Sequence, residues 1–333
     1  MDDDALMGQA IAAARLARPR SSPNPWVGAA LLGPDGSLVL GATEPPGGRH
    51  AEIVALDAAG PAARGATLAT TLEPCAHHGR TGPCADALIA AGVNRVLVGV
   101  EDPDANVAGR GVERLRAAGI DVTVGVRAAE VADQLAAYLH HRRTGRSYVV
   151  LKLAATLDGR TAAPDGTSQW ITGPAARADG HRLRAESDAI VVGAGTVRAD
   201  DPALTVRHAP GRDPRRVVLG RAPVGAQVHP CLEWSGPVGP LLDRLGCDGV
   251  VQVLVEGGAT VACQLLADDL VDRVVCYLAP AVFGGDDALG MFHGPGAPTI
   301  GALRRGRLVD VHRLDDDLRV VVDLRPNPHK ETP

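Results

Sequence analysis

Three short motifs early in the chain carry side chains suited to hydrolytic chemistry: His50-Ala51-Glu52, Glu73-Pro74-Cys75 and Pro83-Cys84. One imidazole and two thiolates form a donor set that zinc favours, and three protein ligands leave a fourth position for water. A water held there loses its proton near neutral pH and becomes a nucleophile. Glu52 is not needed as a ligand and is free to carry a proton from that water to a leaving amine. The chemistry indicated is hydrolytic removal of an amino group as ammonia. Two plainer readings use the same residues, a structural zinc site and a buried cysteine pair. A structural site usually has four protein ligands, and here there are three plus an acid.

The elements that must position these groups follow from periodicity and punctuation. Ala51–Ala59 has helical spacing and is stopped by Gly60-Pro61, which puts His50 and Glu52 at a helix start. Cys84–Ala91 is a second helix, stopped by Gly92. Cys84 therefore opens a helix, where the dipole favours a thiolate. Thr67–Leu72 is a short strand leading towards Cys75. Ala5–Leu16 is helical, and Val27–Leu32 and Ser37–Gly41 are strands joined by the turn Gly33-Pro34-Asp35-Gly36. A strand at Arg95–Val100, a helix at Val112–Ala118 and a strand at Ile120–Val126 continue the alternation.

The polar stretch His140–Ser147 reads as a helix end plus linker, with a basic nucleic-acid patch as the weaker alternative. The domain boundary is placed there, giving domains over residues 1–145 and 146–325 and a disordered tail over 326–333. Apolar runs at Tyr148–Ala154, Ala189–Val192, Arg216–Leu219, Val251–Val255 and Arg273–Leu278 suit a mostly parallel sheet covered on both faces. Leu308–Leu324 reads as a closing hairpin. The fold class is α/β.

The second half has no Gly-x-Gly-x-x-Gly after its first strand. Instead, Gly193-Ala194-Gly195-Thr196 and Glu256-Gly257-Gly258-Ala259-Thr260 each follow a predicted strand. Such glycines let a backbone approach a phosphate in front of a helix N-terminus, although a simple turn is the commoner use.

Composition narrows the partners. The 333 residues fit about two domains. Aromatic residues make up only 2% and the net charge is −5, which argues against base stacking and against a field that recruits nucleic acid. No apolar run is long enough for a membrane span. The start Met1-Asp2-Asp3-Asp4 is acidic where a signal peptide would be basic, so a cytoplasmic protein is expected. Six cysteines are too sparse for a disulfide scaffold, and Cys231, Cys247, Cys263 and Cys276 read as packing residues.

His-x-Glu followed by Pro-Cys is the arrangement of zinc nucleobase deaminases, which then continue as Pro-Cys-x-x-Cys. Here eight residues, Ala76 to Pro83, separate the cysteines, and they include His77, His78 and Arg80. The run Glu73-Pro-Cys-Ala-His-His-Gly-Arg-Thr-Gly-Pro-Cys-Ala-Asp-Ala-Leu resembles the deaminase half of the bifunctional riboflavin-biosynthesis deaminase–reductases. Pro23-Asn24-Pro25-Trp26-Val27-Gly28, Asp102-Pro103 and Gly109-Arg110-Gly111 match as well. Leu151-Lys152-Leu153-Ala154, Leu157-Asp158-Gly159-Arg160, Ser168-Gln169-Trp170-Ile171-Thr172 and Asp200-Asp201-Pro202-Ala203-Leu204-Thr205-Val206-Arg207 resemble the reductase half.

The resemblance implies an N-terminal cytidine-deaminase-like three-layer domain and a C-terminal dihydrofolate-reductase-like domain. It implies Zn2+ and NADPH as cofactors and a small phosphorylated pyrimidine as substrate. That substrate is deaminated, and its ribosyl group is then reduced by hydride transfer to C1′. Zinc falls to His50, Cys75 and Cys84, with Glu52 catalytic, and Asn24, His77 and Arg80 near the base or phosphate. A turn-capping role for Asn24 stays open beside this. NADPH contacts are implied at Ala154, Trp170, Thr196, Asp200, Gly258, Ala259 and Thr260. Reductase substrate contacts are implied at Ser168, Arg184, Leu204, Arg207 and Glu256. Arg184 and Arg207 suit a phosphate, since guanidinium matches its oxygens, with solvated surface arginines as the alternative. Lys152 and Asp200 are candidate proton shuttles. A homodimer through the reductase halves, or a higher homo-oligomer, is also implied.

One region departs from the family pattern. Between Gly220 and Val251 the chain is short, and Gly225–Pro240 is rich in glycine and proline where relatives have a further strand and helix. The expectation is that this layer is missing. It motivates an alternative, a deaminase carrying a degenerate reductase-like module. Gly220-Arg221 also replaces a usual Asp-Ser pair, which makes Arg221 a candidate for the NADPH 2′-phosphate.

Overall fold

The computed structural model describes residues 1–76, 82–104 and 107–324, and it divides into two compact units, Met1–Gly145 and the chain from Arg146 onward. The first unit runs α1 (Asp3–Ser21), β1 (Gly28–Leu32), β2 (Leu38–Ala42), α2 (Ala51–Ala59), β3 (Thr67–Leu72), α3 (Cys84–Ala91), β4 (Arg95–Val100), α4 (Arg110–Ala117), β5 (Asp121–Val124), α5 (Ala128–Gln134) and α6 (Ala136–Thr144). Its sheet has the order β2-β1-β3-β4-β5, antiparallel on either side of β1 and parallel from β3 to β5. Helix α1 runs on past the predicted stop at Leu16 as far as Ser21.

Two glycines show that helices cover both faces of this sheet. Gly28 of β1 lies opposite Ala42 of β2, so its neighbour across the pair, Gly41, faces the other way. A Cβ on Gly28 would stand 1.9 Å from the Ala10 carbonyl of α1, and one on Gly41 would stand 2.1 Å from the Ala51 carbonyl of α2. Backbone touches backbone on each side, and the layers stack α/β/α.

The second unit runs β6 (Tyr148–Thr156), β7 (Arg160–Ala162), α7 (Pro174–Ala185), β8 (Ala189–Gly193), α8 (Ala194–Asp200), β9 (Arg215–Leu219), β10 (Leu232–Trp234), α9 (Val238–Cys247), β11 (Gln252–Val255), α10 (Ala259–Ala267), β12 (Arg273–Ala279), β13 (Leu289–Gly290), β14 (Arg307–Leu314) and β15 (Asp317–Asp323). Its main sheet has the order β10-β9-β8-β11-β6-β12-β15-β14. The first six strands in that order are parallel, and β15 and β14 close it as an antiparallel hairpin. Val149, Leu151, Val191, Val217 and Val253 form its core with Leu241, Leu242 and Leu245 of α9.

This corrects the expectation for Gly220–Val251. The segment supplies both a strand, β10, paired parallel to β9, and a helix, α9, whose leucines are fully buried. The layer is compressed and not missing, so the degenerate-module alternative loses its motivation. Cys247 is also exposed and is not a packing residue, whereas Cys231, Cys263 and Cys276 are half-buried.

Candidate functional site

In the first unit the chain leaves β3, turns through Glu73-Pro74-Cys75 and re-enters at α3, which opens on Cys84. His50 is the N-cap of α2, and Glu52 follows in its first turn. These strand ends and helix starts bring His50 Nδ1 within 3.6 Å of Cys75 Sγ and 3.3 Å of Cys84 Sγ. All three donor atoms lie within 4.8 Å of one another, and they form the metal-competent cluster found among the described residues. Zinc bonded at about 2.3 Å to sulfur and about 2.0 Å to nitrogen at the tetrahedral angle separates those two atoms by about 3.5 Å. The donor set therefore fits zinc in both type and spacing.

Electrostatics agree with a ligand set. The Cys84 thiol hydrogen-bonds Cys75 and, with His50, brings the Cys75 thiol down to about 4. Cys84 is held far above its usual range by that same bond and by burial. Within this coupled pair the negative charge is favoured on Cys75. The backbone N–H of Cys84 at the start of α3 also donates to the Cys75 sulfur, 3.3 Å away. Glu52 is 3% exposed, and burial together with the Cys75 charge pushes its carboxyl up to about 7.

In the second unit two helices start at the carboxyl ends of adjacent parallel strands, α8 directly after β8 and α10 three residues after β11. A Cβ on Gly258, the N-cap of α10, would lie 3.5 Å from the Thr196 hydroxyl of α8. Two helix N-termini side by side at a bare-backbone turn form a cradle for a dinucleotide pyrophosphate. Thr196, Gly258, Ala259 and Thr260 come together here, which fits NADPH.

Beside the cradle, Glu256 directly follows β11, whose last residue Val255 pairs with Leu151, the neighbour of Lys152 in β6. Arg184 of α7 grips Glu256 with two hydrogen bonds, Nε–Oε1 at 2.7 Å and Nη2–Oε2 at 2.8 Å. Burial alone would raise the Glu256 carboxyl, but the Arg184 bonds and the Lys152 charge outweigh it and hold it low. Arg184 is thus not a solvated surface arginine. Arg207 is exposed, with Nη1 3.0 Å from the Thr205 hydroxyl. Leu204 is buried with a φ of 54°.

Trp170 is 69% exposed and lies beneath the Arg177 guanidinium at 4.7 Å. Ser168 and Ala154 are half-buried, while Asp200 is exposed at the far end of α8 from Thr196. Asn24 lies in the turn after α1, where its N–H donates to the Ser21 carbonyl. His77, Arg80 and the predicted tail lie outside the described residues.

Sequence reasoning gave no role to His181 or Glu73. His181 Nδ1 accepts the Arg207 N–H at 3.2 Å, and its ring meets His208 edge-on at 4.7 Å. No local signal separates such a histidine from a surface one. Glu73 carried a signal in standing beside Pro-Cys, but its partners are remote in sequence.

Fold and site together define a two-domain enzyme, a zinc deaminase followed by a dinucleotide-dependent reductase. Comparison with known proteins agrees in both halves. Residues 1–100 match the cytidine and deoxycytidylate deaminase zinc-binding region, and residues 147–228 and 238–320 match the RibD C-terminal domain. Riboflavin biosynthesis protein RibD of Mycobacterium tuberculosis is 44% identical over 85% of this chain and 86% of its own length. The Escherichia coli protein of that name is 39% identical, covering 96% and 98%. The solved structure of Acinetobacter baumannii RibD superposes with a TM-score of 0.87 at 38% identity, covering 97% of this chain and 99% of that one. The Thermotoga maritima diaminohydroxyphosphoribosylaminopyrimidine deaminase/5-amino-6-(5-phosphoribosylamino)uracil reductase gives 0.87 at 34% identity, covering 97% and 98%. The chain belongs to the RibD family of riboflavin biosynthesis, the bifunctional deaminase–reductases that use Zn2+ and NADPH.

Proposed function

We propose that the first unit deaminates 2,5-diamino-6-(5-phosphoribosylamino)pyrimidin-4(3H)-one and that the second reduces the ribosyl group of the product to ribityl. The observation that carries the first step is the convergence of His50, Cys75 and Cys84 beside a buried Glu52. Zinc held by those three supplies an acidified water. The Glu52 carboxyl takes the proton from that water and delivers it to the departing amine, so ammonia leaves neutral. Asn24, His77 and Arg80 are assigned to the base and phosphate.

For the second step, the α8 and α10 N-termini with Thr196, Gly258, Ala259 and Thr260 hold the cofactor phosphates, and Trp170, Ala154 and Asp200 flank the rest. NADPH supplies the hydride to C1′. Lys152, whose charge acts on Glu256, is assigned as the proton donor; Arg207 and Ser168 meet the substrate phosphate, and Leu204 shapes the pocket. Arg184 acts by keeping Glu256 ionised and fixed.

The protein works in the cytoplasm as a homodimer. All six cysteines are free, which suits a reducing compartment. No helix among the described residues is long and apolar enough to cross a membrane. The outer hairpin exposes Leu308 and Val311 on the edge strand β14 and Leu318 on the adjoining β15, which supports self-association.

A coupled assay tests the scheme, with zinc measured on the same sample. Ammonia release followed by NADPH oxidation is expected. Ammonia release without NADPH consumption refutes the reductase step, and undiminished release by a zinc-loaded Glu52→Ala variant refutes the role of Glu52. Sedimentation at a monomer's rate refutes the dimer.

A further inference from the structure

Glu73 precedes Pro74-Cys75, is 3% exposed and takes no part in either reaction. Its carboxylate accepts four backbone N–H groups. Asp102 and Gly109 donate to Oε2 at 3.2 and 3.0 Å, and Gly111 and Val112 donate to Oε1 at 2.8 and 3.2 Å. Three of these donors open α4, with Gly109 as its N-cap. A helix start leaves N–H groups unpaired and favours negative charge, and here the side chain of another element answers both needs.

The same joint is closed from the other side by Gly111. A Cβ there would lie 1.9 Å from the Pro74 carbonyl oxygen, so the start of α4 rests directly on the peptide that carries Cys75. On its far side, Cys75 is held by α3. Its sulfur accepts from Cys84 N–H at 3.3 Å, and its carbonyl accepts from Ala85 N–H at 3.1 Å. The turn bearing the ligand is thus clamped between two helix N-termini, one acting through Glu73.

We propose that Glu73 is a positioning residue of the deaminase site. Its grip on Asp102, Gly109, Gly111 and Val112 fixes the place of Cys75 Sγ against His50 and Cys84, and so sets the affinity for the metal. This rests on the zinc reading of the site. It also accounts for Gly109-Arg110-Gly111, a motif to which the deaminase chemistry gives no part.

The test uses the full chain. Glu73→Gln keeps the size of the side chain but turns one acceptor into an N–H donor facing backbone N–H groups. Gly111→Ala leaves the carboxylate untouched and pushes Pro74 instead. Zinc affinity is measured by chelator competition, and the cobalt-substituted protein reports thiolate ligation through its charge-transfer band. Loss of a group that orients a ligand lowers metal affinity roughly 10- to 100-fold, and a fall of that size is expected for both variants, with an altered cobalt band. Wild-type circular dichroism and a cooperative urea transition of the first unit show that it has folded, and wild-type NADPH oxidation on supplied deaminated substrate shows the same of the second. Wild-type zinc affinity and an unchanged cobalt spectrum in both variants overturn the proposal. If the unsubstituted protein takes up neither metal, the zinc reading falls as well.

Discussion

Arg184→Met separates the structural part of the Arg184–Glu256 pair from its part in catalysis. The two side chains are 15% and 13% exposed and meet through a bidentate contact at 2.7 and 2.8 Å. Unit charges about 4 Å apart at an effective dielectric of about 20 attract by about 4 kcal/mol. Breaking a buried pair leaves the surviving charge uncompensated and costs about 3–5 kcal/mol. Here Lys152 remains beside Glu256 and offsets part of the loss, so the lower end, about 3 kcal/mol, is expected. Met keeps the apolar bulk of the arginine stem, which confines the change to charge and hydrogen bonds. Urea unfolding followed by circular dichroism measures it, with zinc release marking the first unit separately, because two units need not unfold together. The second transition should move to lower urea while the first stays in place. An unchanged second transition together with lost NADPH oxidation refutes the reasoning, since the pair would then serve chemistry alone.

Three further outcomes follow from the geometry. Chelation of zinc abolishes ammonia release but leaves NADPH-dependent reduction of supplied deaminated substrate intact, and parallel loss of both activities would contradict the division of labour. Gly28→Ala forces a Cβ to within 1.9 Å of the Ala10 carbonyl, so the first unit loses stability at the upper end of the roughly 1–3 kcal/mol typical of overpacking, read from its urea transition. Burial and the charges of Arg184 and Arg207 depress His181 to about 4, whereas an unfolded histidine titrates near about 6.5. Between those values the unfolded chain binds the extra proton, so His181 removes stability as pH falls through that window. His181→Gln should flatten that part of the stability–pH curve for the second unit, and parallel curves would exclude the effect.

The deaminase site was legible because its chemistry is local. His50 and Glu52 share one helix turn, and each cysteine follows a proline at an element boundary, so residue type and spacing say most of what the fold later arranges. The reductase site was legible only through resemblance. Its parts are loops at the ends of parallel strands, and the Arg184–Glu256 pair joins residues 72 apart that no periodicity connects. The compressed β10–α9 layer was misread for a physical reason. Its glycines and prolines look like a loop, yet Pro237 is the N-cap of α9 and Pro240 lies in its first turn, where a missing N–H costs nothing. The place of Glu73 beside Pro-Cys marked it, but its role stayed hidden because its four partners are backbone groups, which carry no sequence signature.

The scarcity of aromatic rings makes this chain optically sparse in a useful way. It holds three tryptophans. Trp26 is the first unit's sole indole and is 2% exposed, with its N–H on the Gln134 carbonyl and Arg18 stacked at 4.7 Å. Trp170 stands open to water beneath Arg177, and Trp234 donates to the Pro237 carbonyl in the compressed layer. Each thus emits from a different setting, one dry, one wet and one between. Reduced nicotinamide absorbs where indole emits, so a bound cofactor should dim the red-shifted component first. With two indoles replaced by phenylalanine, the remaining one reports on its own half of the molecule without any added dye.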